Sequence, residues 1–556
     1  MITISFGKRD FLYDNGLVNI FFDLRRDERF ENIDDYTVKY GDSKFELSDN
    51  KITFHGSFTE LKEVYFILRS IYYSKAFEET NNNRPYYDPV NDRVIIAPKL
   101  NVKPYLQRSE RTKDLLPRMQ VTEKKLEALK KEEAEAKNSF DGKVSGDLQY
   151  GKKGSNVMIY LKPEKLGESI SSKIKKIQAG DKCFFCGSKY SKYIDDKNKK
   201  GSFSIKSTNL IFDFGTGDPK PSFRDLRLKK DITACFMCDL IYRYGLLNNY
   251  FVDNNVFIIS APSLTFLYDI KKMLMIPEDY LEESSRKTNF LKKGDFVTSG
   301  PYSRLLLLIQ KIKRKIIDRD ELAYLSIDYF VVTSRGVDDL KIYNKFSYIS
   351  EFFDRIKNLR NKSDTPFLNL LMNYSYYKNI SKPQIKNLPR EEISRRILLG
   401  LPIDPVITDL SFYNLSQDNP SGINPLLIYK FLTEYLEVTG MSDMKELHNK
   451  CQLVGDRIGY FAAQYDKKDI LYSIREIGNF ERLTEFFKNL EYEILKEDAG
   501  ALWNSSTEDE KRYGDLIQEI LMDSKESRVV LIRNYLAIYA IQKYLSTRYA
   551  KNKGGN

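Results

Sequence analysis

Histidine, tryptophan and cysteine are scarce in this sequence. The 556 residues include two histidines, one tryptophan and five cysteines. Five cysteines are too few for a disulfide scaffold, so we expect reduced thiols in a cytoplasmic protein. The two histidines, His55 and His448, are too few for a nuclease or hydrolase that holds its metal with histidine ligands. We expect each of them to be an ordinary surface or packing residue.

Long apolar runs and common catalytic motifs are also missing. The longest apolar run with helical character, residues 305–309, is far shorter than the ~20 residues that span a bilayer. The N-terminal MITISFGKRDF has no apolar core followed by a small-residue cleavage site, so we expect no secretory signal. The motifs G-x-x-x-x-G-K-[ST], G-x-S-x-G and H-E-x-x-H do not occur. The sequence therefore predicts a soluble, cytoplasmic protein that is not an enzyme.

The composition is that of a folded chain with an excess of positive charge. Apolar residues make up 42% and aromatic residues 13%, which is ample for packed cores. The length predicts about two to four domains. A formal net charge of +11 favours a polyanionic partner such as nucleic acid, because that attraction is long-ranged and independent of sequence. A solvated lysine-rich surface without a partner is the alternative.

Four of the five cysteines form two C-x-x-C pairs. Cys183 and Cys186 are separated from Cys235 and Cys238 by 48 residues. Two thiolates three residues apart can hold one ion through a tight turn, which Gly187 can supply, and two such turns complete the tetrahedral four-sulfur shell of structural zinc. That shell has no open position, so the metal would stabilise folding rather than activate water. A redox dithiol is the alternative, although redox chemistry needs only one pair.

Strand-like and helix-like segments alternate in the N-terminal hundred residues. Residues 61–72 have helical periodicity, and the predicted strands are residues 2–6, 18–24, 36–40, 45–47, 52–54 and 94–96. Residues 121–137 favour a solvated helix with a thin apolar stripe, and the Gly-rich stretch after them indicates a flexible connection. Beyond residue 300 the pattern predicts almost only helices, the last of them amphipathic.

We therefore predict an α+β fold. A mixed α/β N-terminal region with an inserted four-cysteine zinc module is followed by a mostly helical region that ends in a C-terminal helical bundle. The predicted regions are residues 1–106 (α+β domain), 107–169 (charged helix and flexible connection), 170–250 (zinc module with a basic loop), 251–425 (mainly helical) and 426–556 (bundle).

Basic residues cluster between the cysteine pairs and recur in two later helices. Between the pairs they are interleaved with Tyr190, Tyr193 and Phe203, which suits phosphate contact combined with base stacking. A basic amphipathic helix over residues 303–319 also suits a membrane surface or a protein partner. Solvated lysines without a ligand are the alternative for each cluster. The candidate nucleic-acid-binding residues are Lys189, Lys192, Lys197, Lys199, Lys200, Arg224, Arg227, Lys229, Lys230, Lys311, Arg314, Lys315, Arg528, Arg533 and Lys543.

The cysteine spacing resembles that of a known family. Two C-x-x-C pairs about fifty residues apart, midway through a basic chain of this length, resemble the CXXC-CXXC family of CRISPR-associated proteins. These are large subunits of type I-B-like Cascade interference complexes, which act in antiviral defence. Residues 11–21 (FLYDNGLVNIF) resemble the family's opening, and residues 455–459, 471–475 and 479–480 are similar to its helical tail.

The resemblance implies a non-catalytic role in target recognition. Such a subunit contacts the 5′ handle of the guide RNA, reads the short motif beside the target in double-stranded DNA, stabilises the R-loop and recruits the helicase-nuclease. The implied partners are guide RNA, target DNA, the other Cascade subunits and the helicase-nuclease, with no membrane. Two alternatives remain open: a zinc-containing DNA- or RNA-binding subunit of another complex, and a nuclease whose metal is held by carboxylates alone.

The C-terminal helices raise a hypothesis of internal translation. Several systems that resemble this one make a separate small subunit from within the large-subunit gene. Here Glu437 lies four residues before Met441. If the codon for Glu437 is GAG, the gene contains the core of a ribosome-binding sequence shortly upstream of the Met441 codon. The 116 residues from Met441 onward fit the size of a compact helical bundle. Met444 is a second possible start, and two ordinary helix methionines are the alternative.

Overall fold

The protein is described by a computed structural model. It describes residues 1–103, 106, 115–148, 156–206, 231–245, 247, 250–252, 255–274, 302–303, 305–306, 309–310, 326–333, 336–343, 346–361, 364–374, 389–417, 425–500, 512–524 and 526–554. The chain forms two compact units: Met1–Lys292 with Arg319–Asn344, and Lys293–Asp318 with Lys345–Asn556. The predicted fold class is confirmed, because the first unit mixes sheets with helices and the second contains a helical bundle.

The first unit contains antiparallel sheets and six described helices. Its strands are β1 (Ile2–Gly7), β2 (Glu31–Asn32), β3 (Thr37–Tyr40), β4 (Ser43–Leu47), β5 (Lys51–Gly56), β6 (Phe77–Asp88), β7 (Arg93–Val102), β8 (Arg118–Gln120), β9 (Asn156–Met158), β10 (Ile174–Gln178), β11 (Lys192–Asp195), β12 (Lys200–Ser202), β13 (Ser204–Lys206), β14 (Asp231–Thr233), β15 (Tyr250–Val252), β16 (Asn255–Ser260), β17 (Ser326–Thr333) and β18 (Gly336–Tyr343). Its helices are α1 (Phe11–Arg26), α2 (Phe58–Ala76), α3 (Glu123–Ser139), α4 (Pro163–Ser171), α5 (Phe236–Tyr244) and α6 (Leu264–Leu274).

The described strands pair as six separate sheets. The largest has the order β1-β5-β4-β3-β2, and a second has the order β15-β16-β17-β18. The others are β10-β11-β12 and the pairs β6-β7, β8-β9 and β13-β14. Five of the six strands predicted in the N-terminal region are confirmed as β1, β3, β4, β5 and β7, and the predicted helix is α2.

Residues 18–24, predicted as a strand, belong to α1, so that prediction is wrong. The helix begins where the Asp10 side chain accepts hydrogen bonds from the amides of Leu12 and Tyr13. Every residue from 12 to 24 is buried, including Asn15 and Asn19. Because the helix is covered on all sides and its polar residues also face inward, its sequence lacks the periodicity of a surface helix.

Helix α3 confirms the predicted charged helix with a thin apolar stripe, since only Leu129 and Glu133 of its residues are buried, and it packs against the β6–β7 hairpin. Its Glu132 and Glu133 side chains accept hydrogen bonds from the amides of Val94 (2.9 Å) and Leu148 (3.2 Å). The shared core comprises Tyr87, Val94, Leu129, Leu148 and Val157. The prediction of a flexible connection is therefore wrong for residues 141–148, while residues 149–155 lie outside the described part. The thin apolar stripe suffices because two carboxylates bind backbone amides of the neighbouring segments.

Strands β16, β17 and β18 and the last two residues of β15 lie in the region predicted to be mainly helical (residues 251–425), which is wrong for these residues. Strand β17 pairs antiparallel with β16, with Asp328 opposite Ile258. That pairing joins segments about seventy residues apart in the sequence, so no local pattern reveals it. The β-branched and aromatic residues of β17 (SIDYFVVT) are nevertheless typical of a strand.

The described elements of the second unit are helices. They are α7 (Phe346–Ile356), α8 (Phe367–Asn373), α9 (Arg390–Leu399), α10 (Asp404–Leu415), α11 (Pro425–Val438), α12 (Lys445–Gln464), α13 (Lys468–Ser473), α14 (Phe480–Lys496), α15 (Tyr513–Asp523) and α16 (Val529–Gly554), with 3-10 turns at Ser442–Met444, Ile474–Glu476 and Glu526–Arg528. The amphipathic character predicted for the last helices is confirmed for α14, whose buried stripe comprises Leu483, Phe486, Phe487, Leu490 and Ile494. Among the described helices of the whole chain, none combines the length and apolar character required of a membrane-spanning segment.

Helix α16 packs lengthwise on α12, and α10 packs on α16 as well. Asn534 of α16 donates a hydrogen bond to the Asp404 carboxylate (2.7 Å), and Gln542 donates one to the Ser411 hydroxyl (3.1 Å). All four side chains are buried. The bundle therefore includes a helix that precedes the predicted boundary at residue 426. A product that began at Met441 would lack α10 and α11, and thus these partners of Asn534 and Gln542.

Candidate metal centre and basic hairpin

The four cysteines of the two C-x-x-C pairs come together in the first unit. Their Sγ atoms all lie within 4.8 Å of one another, and those of Cys186 and Cys235 are 3.5 Å apart. Cys183, Cys235 and Cys238 are buried and Cys186 is half-buried. Such a cluster can hold one metal ion with four sulfur ligands. Within the described ranges, no other group of histidine, cysteine and acidic side chains has a comparable geometry.

The first cysteine pair lies in the connection between β10 and β11. Gly187 adopts a φ of 73°, a left-handed conformation that favours glycine, and its amide donates to the Cys183 carbonyl (2.9 Å). The Cys183 amide donates to the Ser188 carbonyl (2.7 Å). The chain therefore turns back within a few residues, and Cys183 and Cys186 approach one point. The role predicted for Gly187 in this turn is confirmed.

The second cysteine pair lies at the start of α5. Cys235 is the N-cap residue of this helix, and its sulfur accepts a hydrogen bond from the Cys238 amide (3.4 Å). The amides and positive dipole end of a helix N-terminus stabilise negative charge, which here is thiolate charge. The Phe184 amide donates to the Thr233 carbonyl (3.0 Å), and this bond ties the first pair to the strand that leads into the second.

The electrostatics of the cysteine cluster favour a bound cation. Burial raises the pKa of the Cys238 thiol, whereas hydrogen bonding with Cys186 and the other cysteines lowers the pKa of the Cys183 thiol. Thiolates this close repel one another, so the cluster does not ionise completely on its own. A divalent cation among the sulfurs would remove that conflict, since metal binding releases the thiol protons.

The N-terminal end of α1 supports the cluster from one side. The Tyr13 hydroxyl hydrogen bonds with Cys238 Sγ (3.2 Å), and the Tyr13 ring stacks on Phe185 with centroids 5.6 Å apart. Arg9 Nη2 donates to the Phe185 carbonyl (2.6 Å). In the sequence, Tyr13 stands out only as part of the family likeness of residues 11–21. No local signal links Tyr13 or Arg9 to cysteines about 170 or more residues away.

Helices α1 and α5 cross at two glycines. A Cβ atom on Gly16 would lie 1.9 Å from the Ile241 carbonyl oxygen, and one on Gly245 would lie 2.3 Å from the Leu12 carbonyl oxygen. At the C-terminal end of α5, Asn19 Nδ2 donates to two carbonyl groups at 2.8 and 2.5 Å. The close crossing and this polar contact set the position of α5 and therefore of Cys235 and Cys238.

Replacing Tyr13 with Phe should weaken metal binding about tenfold, because outer-shell partners orient the ligands and tune their charge. The variant removes the hydroxyl next to Cys238 and keeps the ring that stacks on Phe185. Competition with a chromophoric chelator measures the affinity. Tyr242→Phe is the control, since the Tyr242 hydroxyl binds Asp10 rather than a sulfur. Equal losses in the two variants would contradict a specific role for Tyr13.

The lysines predicted between the cysteine pairs lie on the surface. Lys189, Lys192, Lys197, Lys199 and Lys200 are all exposed. Residues 195–200 form the turn between β11 and β12, in which an Asp195 carboxylate oxygen accepts the amides of Lys197 (3.0 Å) and Lys199 (2.7 Å). The predicted basic loop is therefore a basic β-hairpin. Arg224, Arg227, Lys229 and Lys230 lie outside the described residues.

The aromatic residues of this segment pack inside the first unit. Tyr190 stacks on Phe58 with centroids 3.8 Å apart, and Tyr193 packs on Phe203 at 4.8 Å. Phe203 is 4% exposed. This placement excludes base stacking by Phe203 and leaves it a prediction for Tyr190 and Tyr193, which are half-buried. The alternation of lysine with aromatic residues in this segment is that of a strand with one buried face.

The basic residues predicted in the second unit are engaged by its own side chains or lie outside the described part. Lys311, Arg314 and Lys315 are outside it. An Arg528 guanidinium nitrogen lies 3.5 Å from the Asp443 carboxylate, and Arg533 donates to the Asn534 amide oxygen at 3.0 and 3.2 Å. The positive charge of Lys543 acts on the half-buried Asp456 carboxyl. The described part of this unit therefore does not gather Arg528, Arg533 and Lys543 into one free basic surface.

No protein-family model matches the chain, and no curated protein matches it. The likeness to the CXXC-CXXC family therefore stays a prediction from the cysteine spacing and four short segments.

Proposed function

We propose that this chain is a nucleic-acid-binding subunit without catalytic activity, in which one structural zinc ion anchors a basic β-hairpin. One observation carries the proposal: the cysteine turn joins β10 to β11, and the lysine-rich turn closes the other end of β11. A metal at the cysteines would thus hold one end of a small sheet whose other end is basic.

Zinc is the ion that best fits the donor set. Four thiolates in a compact, largely buried cluster form the closed tetrahedral shell that zinc prefers. With every ligand position taken by protein, the ion would contribute folding energy rather than activate water. The proposed cofactor is therefore structural.

The family resemblance makes the proposal more specific. As the large subunit of a type I-B-like Cascade complex in the cytoplasm, the chain would contact the guide-RNA handle, read the motif beside the target, stabilise the R-loop and recruit the helicase-nuclease. Guide pairing reads the sequence in such complexes, and the protein contributes motif recognition and backbone contact. The exposed lysines of the basic hairpin suit the backbone contact.

Replacing Lys197, Lys199 and Lys200 together with Ala should weaken nucleic-acid binding and flatten its salt dependence. The slope of log K against log salt falls by about 0.9 for each phosphate of duplex DNA that the protein no longer neutralises. Binding titrations over a range of salt concentrations measure the slope, and metal content serves as the folding control. Absence of binding by the unchanged protein would overturn the proposed function, and metal-dependent cleavage by it would overturn its non-catalytic part.

A further inference from the structure

The three-stranded sheet β10-β11-β12 has two unlike faces. Lys176 of β10 is paired with Ile194 of β11, and Ile194 is paired with Lys200 of β12. Lys192 lies two residues before Ile194 on the middle strand. Paired residues share a face of a sheet, as do residues two apart along a strand. Lys176, Lys192 and Lys200 therefore project from one face, and all three are exposed.

The opposite face packs against the protein. It carries Ile177, Tyr193 and Gly201, which are paired with one another across the three strands. Ile177 is buried, and Tyr193 packs on Phe203. A Cβ atom on Gly201 would lie 2.4 Å from the Tyr193 ring, so this ring covers the glycine. The face with the three lysines, called the lysine face below, is consequently the outward one.

The lysine face has no charge compensation of its own. Its remaining strand residues are Gln178, Ile194 and Ser202, which are neutral and not aromatic. None of the three ammonium groups forms a salt bridge or hydrogen bond with any described residue. By contrast, Lys450 lies within 3.0 Å of three carboxylates. Cations of that kind are neutralised locally, whereas those of the lysine face create a positive field.

Positive charge continues around this face. Residues 171–206 contain ten lysines and three aspartates. Burial lowers the pKa of Lys173, which precedes β10; the Asp196 carboxylate opposes this shift, and the charges of Arg69, Lys197 and Arg118 add to it. The field is therefore a property of the whole hairpin and its surroundings rather than of one side chain.

The cysteine turn holds the same sheet. The Gly180 amide donates to the Lys189 carbonyl (2.6 Å), which extends the β10–β11 pairing towards Cys183. A Cβ atom on Gly180 would lie 2.7 Å from Lys192 Cγ, so the aliphatic part of this lysine crosses the glycine. The metal cluster thus closes the end of the sheet next to Lys192.

The spacing of the three lysines matches a phosphate backbone. Strands about 4.8 Å apart and a residue pair about 6.7 Å apart along a strand place the three Cα atoms about 8–10 Å from one another. A DNA strand carries one charge per ~3.4 Å of helix axis, so the three side chains can reach three different phosphates. Lysine binds phosphate as a point charge, and the face offers no aromatic ring on which a base could stack.

We propose that Lys176, Lys192 and Lys200 form a contact surface for the phosphodiester backbone of nucleic acid, which binds phosphates without reading bases. This inference rests on the proposed function and names the ligand chemistry of its hairpin. It adds Lys176, which precedes the first cysteine pair and was not among the candidate residues. It also replaces base stacking with backbone contact.

The test is the triple variant Lys176→Ala, Lys192→Ala and Lys200→Ala in the full chain. Its affinity for two duplex DNAs of unrelated sequence is measured between 50 and 200 mM salt. The negative slope of log K against log salt should become shallower by about 2.7. Raising the salt across this range should therefore reduce the affinity of the variant about 40-fold less than that of the unchanged protein. The fall should be equal for both sequences, and Lys→Arg at all three positions should restore the slope.

The matched control is Lys124→Ala, Lys130→Ala and Lys131→Ala. These exposed residues lie in the same unit on α3, which carries five lysines and five glutamates, so the same charge is removed from a neutral helix. The control should keep the slope, and metal content and thermal unfolding show that both variants are folded. If the unchanged protein binds DNA and the lysine-face variant keeps its slope, or loses it on one sequence only, the inference is wrong and the proposed function stands. If the unchanged protein binds no nucleic acid, the proposed function itself fails.

Discussion

Cys235→Ser should release the metal and unfold the segment around α5. The energy with which a structural zinc ion binds is folding energy, about 10–16 kcal/mol in small zinc domains, and a site with three thiolates and a hydroxyl forfeits much of it. Serine is a favourable N-cap, so the variant keeps the start of α5 while removing one metal ligand. Elemental analysis should show a fall from one zinc per chain to none, and thermal unfolding should show a large loss of stability in the first unit.

Cys451→Ser is the matched control for the thiol. Cys451 is a buried cysteine of α12 in the second unit, and burial raises the pKa of its thiol. Its replacement by serine should cost stability in that unit only, because a hydroxyl is buried, and the zinc content should not change. A Cys235→Ser protein that retains one zinc per chain and unfolds like the unchanged protein would contradict the assignment. Iron-sulfur absorbance in the unchanged protein would contradict zinc.

The metal should also be coupled to nucleic-acid binding. The turn with Cys183 and Cys186 connects β10 with β11, the strands that carry Lys176 and Lys192. Loss of the metal would free the end of the sheet next to Lys192, so the lysines would no longer hold a fixed spacing. The salt slope of the Cys235→Ser variant should therefore fall towards that of the lysine-face variant, and titrations on both proteins compare the two slopes directly.

The cluster of four cysteines could be predicted from the sequence, but its surroundings could not. Two cysteines three residues apart form their own tight turn, so the sequence alone predicts that Cys183 and Cys186 lie together. Tyr13 reaches Cys238 only because α1 crosses α5, which depends on packing between segments far apart in the sequence. Lys176 joins the lysine face only through the strand register. Strand register depends on which face of the sheet is buried, and the sequence of one segment does not reveal that face.

The same distinction applies to the fold. Helix α14 is exposed on one side, and its apolar residues at intervals of three and four predict its buried stripe. Helix α1 is covered on every side, and its inward Asn15 and Asn19 bind backbone carbonyls of other elements, so its sequence resembles a strand with polar interruptions. The pairing of β17 with β16 likewise depends on a partner far along the chain.

The crossing of α12 and α16 in the second unit leaves no room for an added Cβ atom at two glycines. Gly455 and Gly459 lie one turn apart on α12 and face α16. A Cβ atom on Gly459 would lie 2.1 Å from the Ala540 carbonyl oxygen, and one on Gly455 would lie 2.9 Å from Tyr539 Cβ. The first of these contacts involves backbone, so no side-chain rotation can relieve it. The glycines that contributed to the family likeness are thus explained by a close helix crossing.

Gly459→Ala should destabilise the second unit by about 2 kcal/mol or more. Alanine gains about 1 kcal/mol over glycine in a helix interior. Overpacking costs about 1–3 kcal/mol, and more where backbone must move, so the steric cost decides the sign here. Gly514→Ala is the control, because Gly514 lies in α15 with no heavy atom within 4 Å of an added Cβ. That change should be neutral or stabilising. Thermal and chemical unfolding of the two variants measure the difference.

The pKa of His448 reports locally on whether Gly459→Ala separates α12 from α16. Its Nε2 lies 2.5 Å from the Tyr539 hydroxyl on α16, and its ring stacks on Tyr429 with centroids 5.1 Å apart. Burial lowers the pKa of His448 to about 3. If Gly459→Ala separates the helices, water reaches the imidazole and its pKa should rise towards the ordinary value of about 6.5, which NMR titration of the ring protons detects. A Gly459→Ala protein at least as stable as the unchanged one, with the pKa of His448 still low, would show that the helices can take up the extra methyl group without separating.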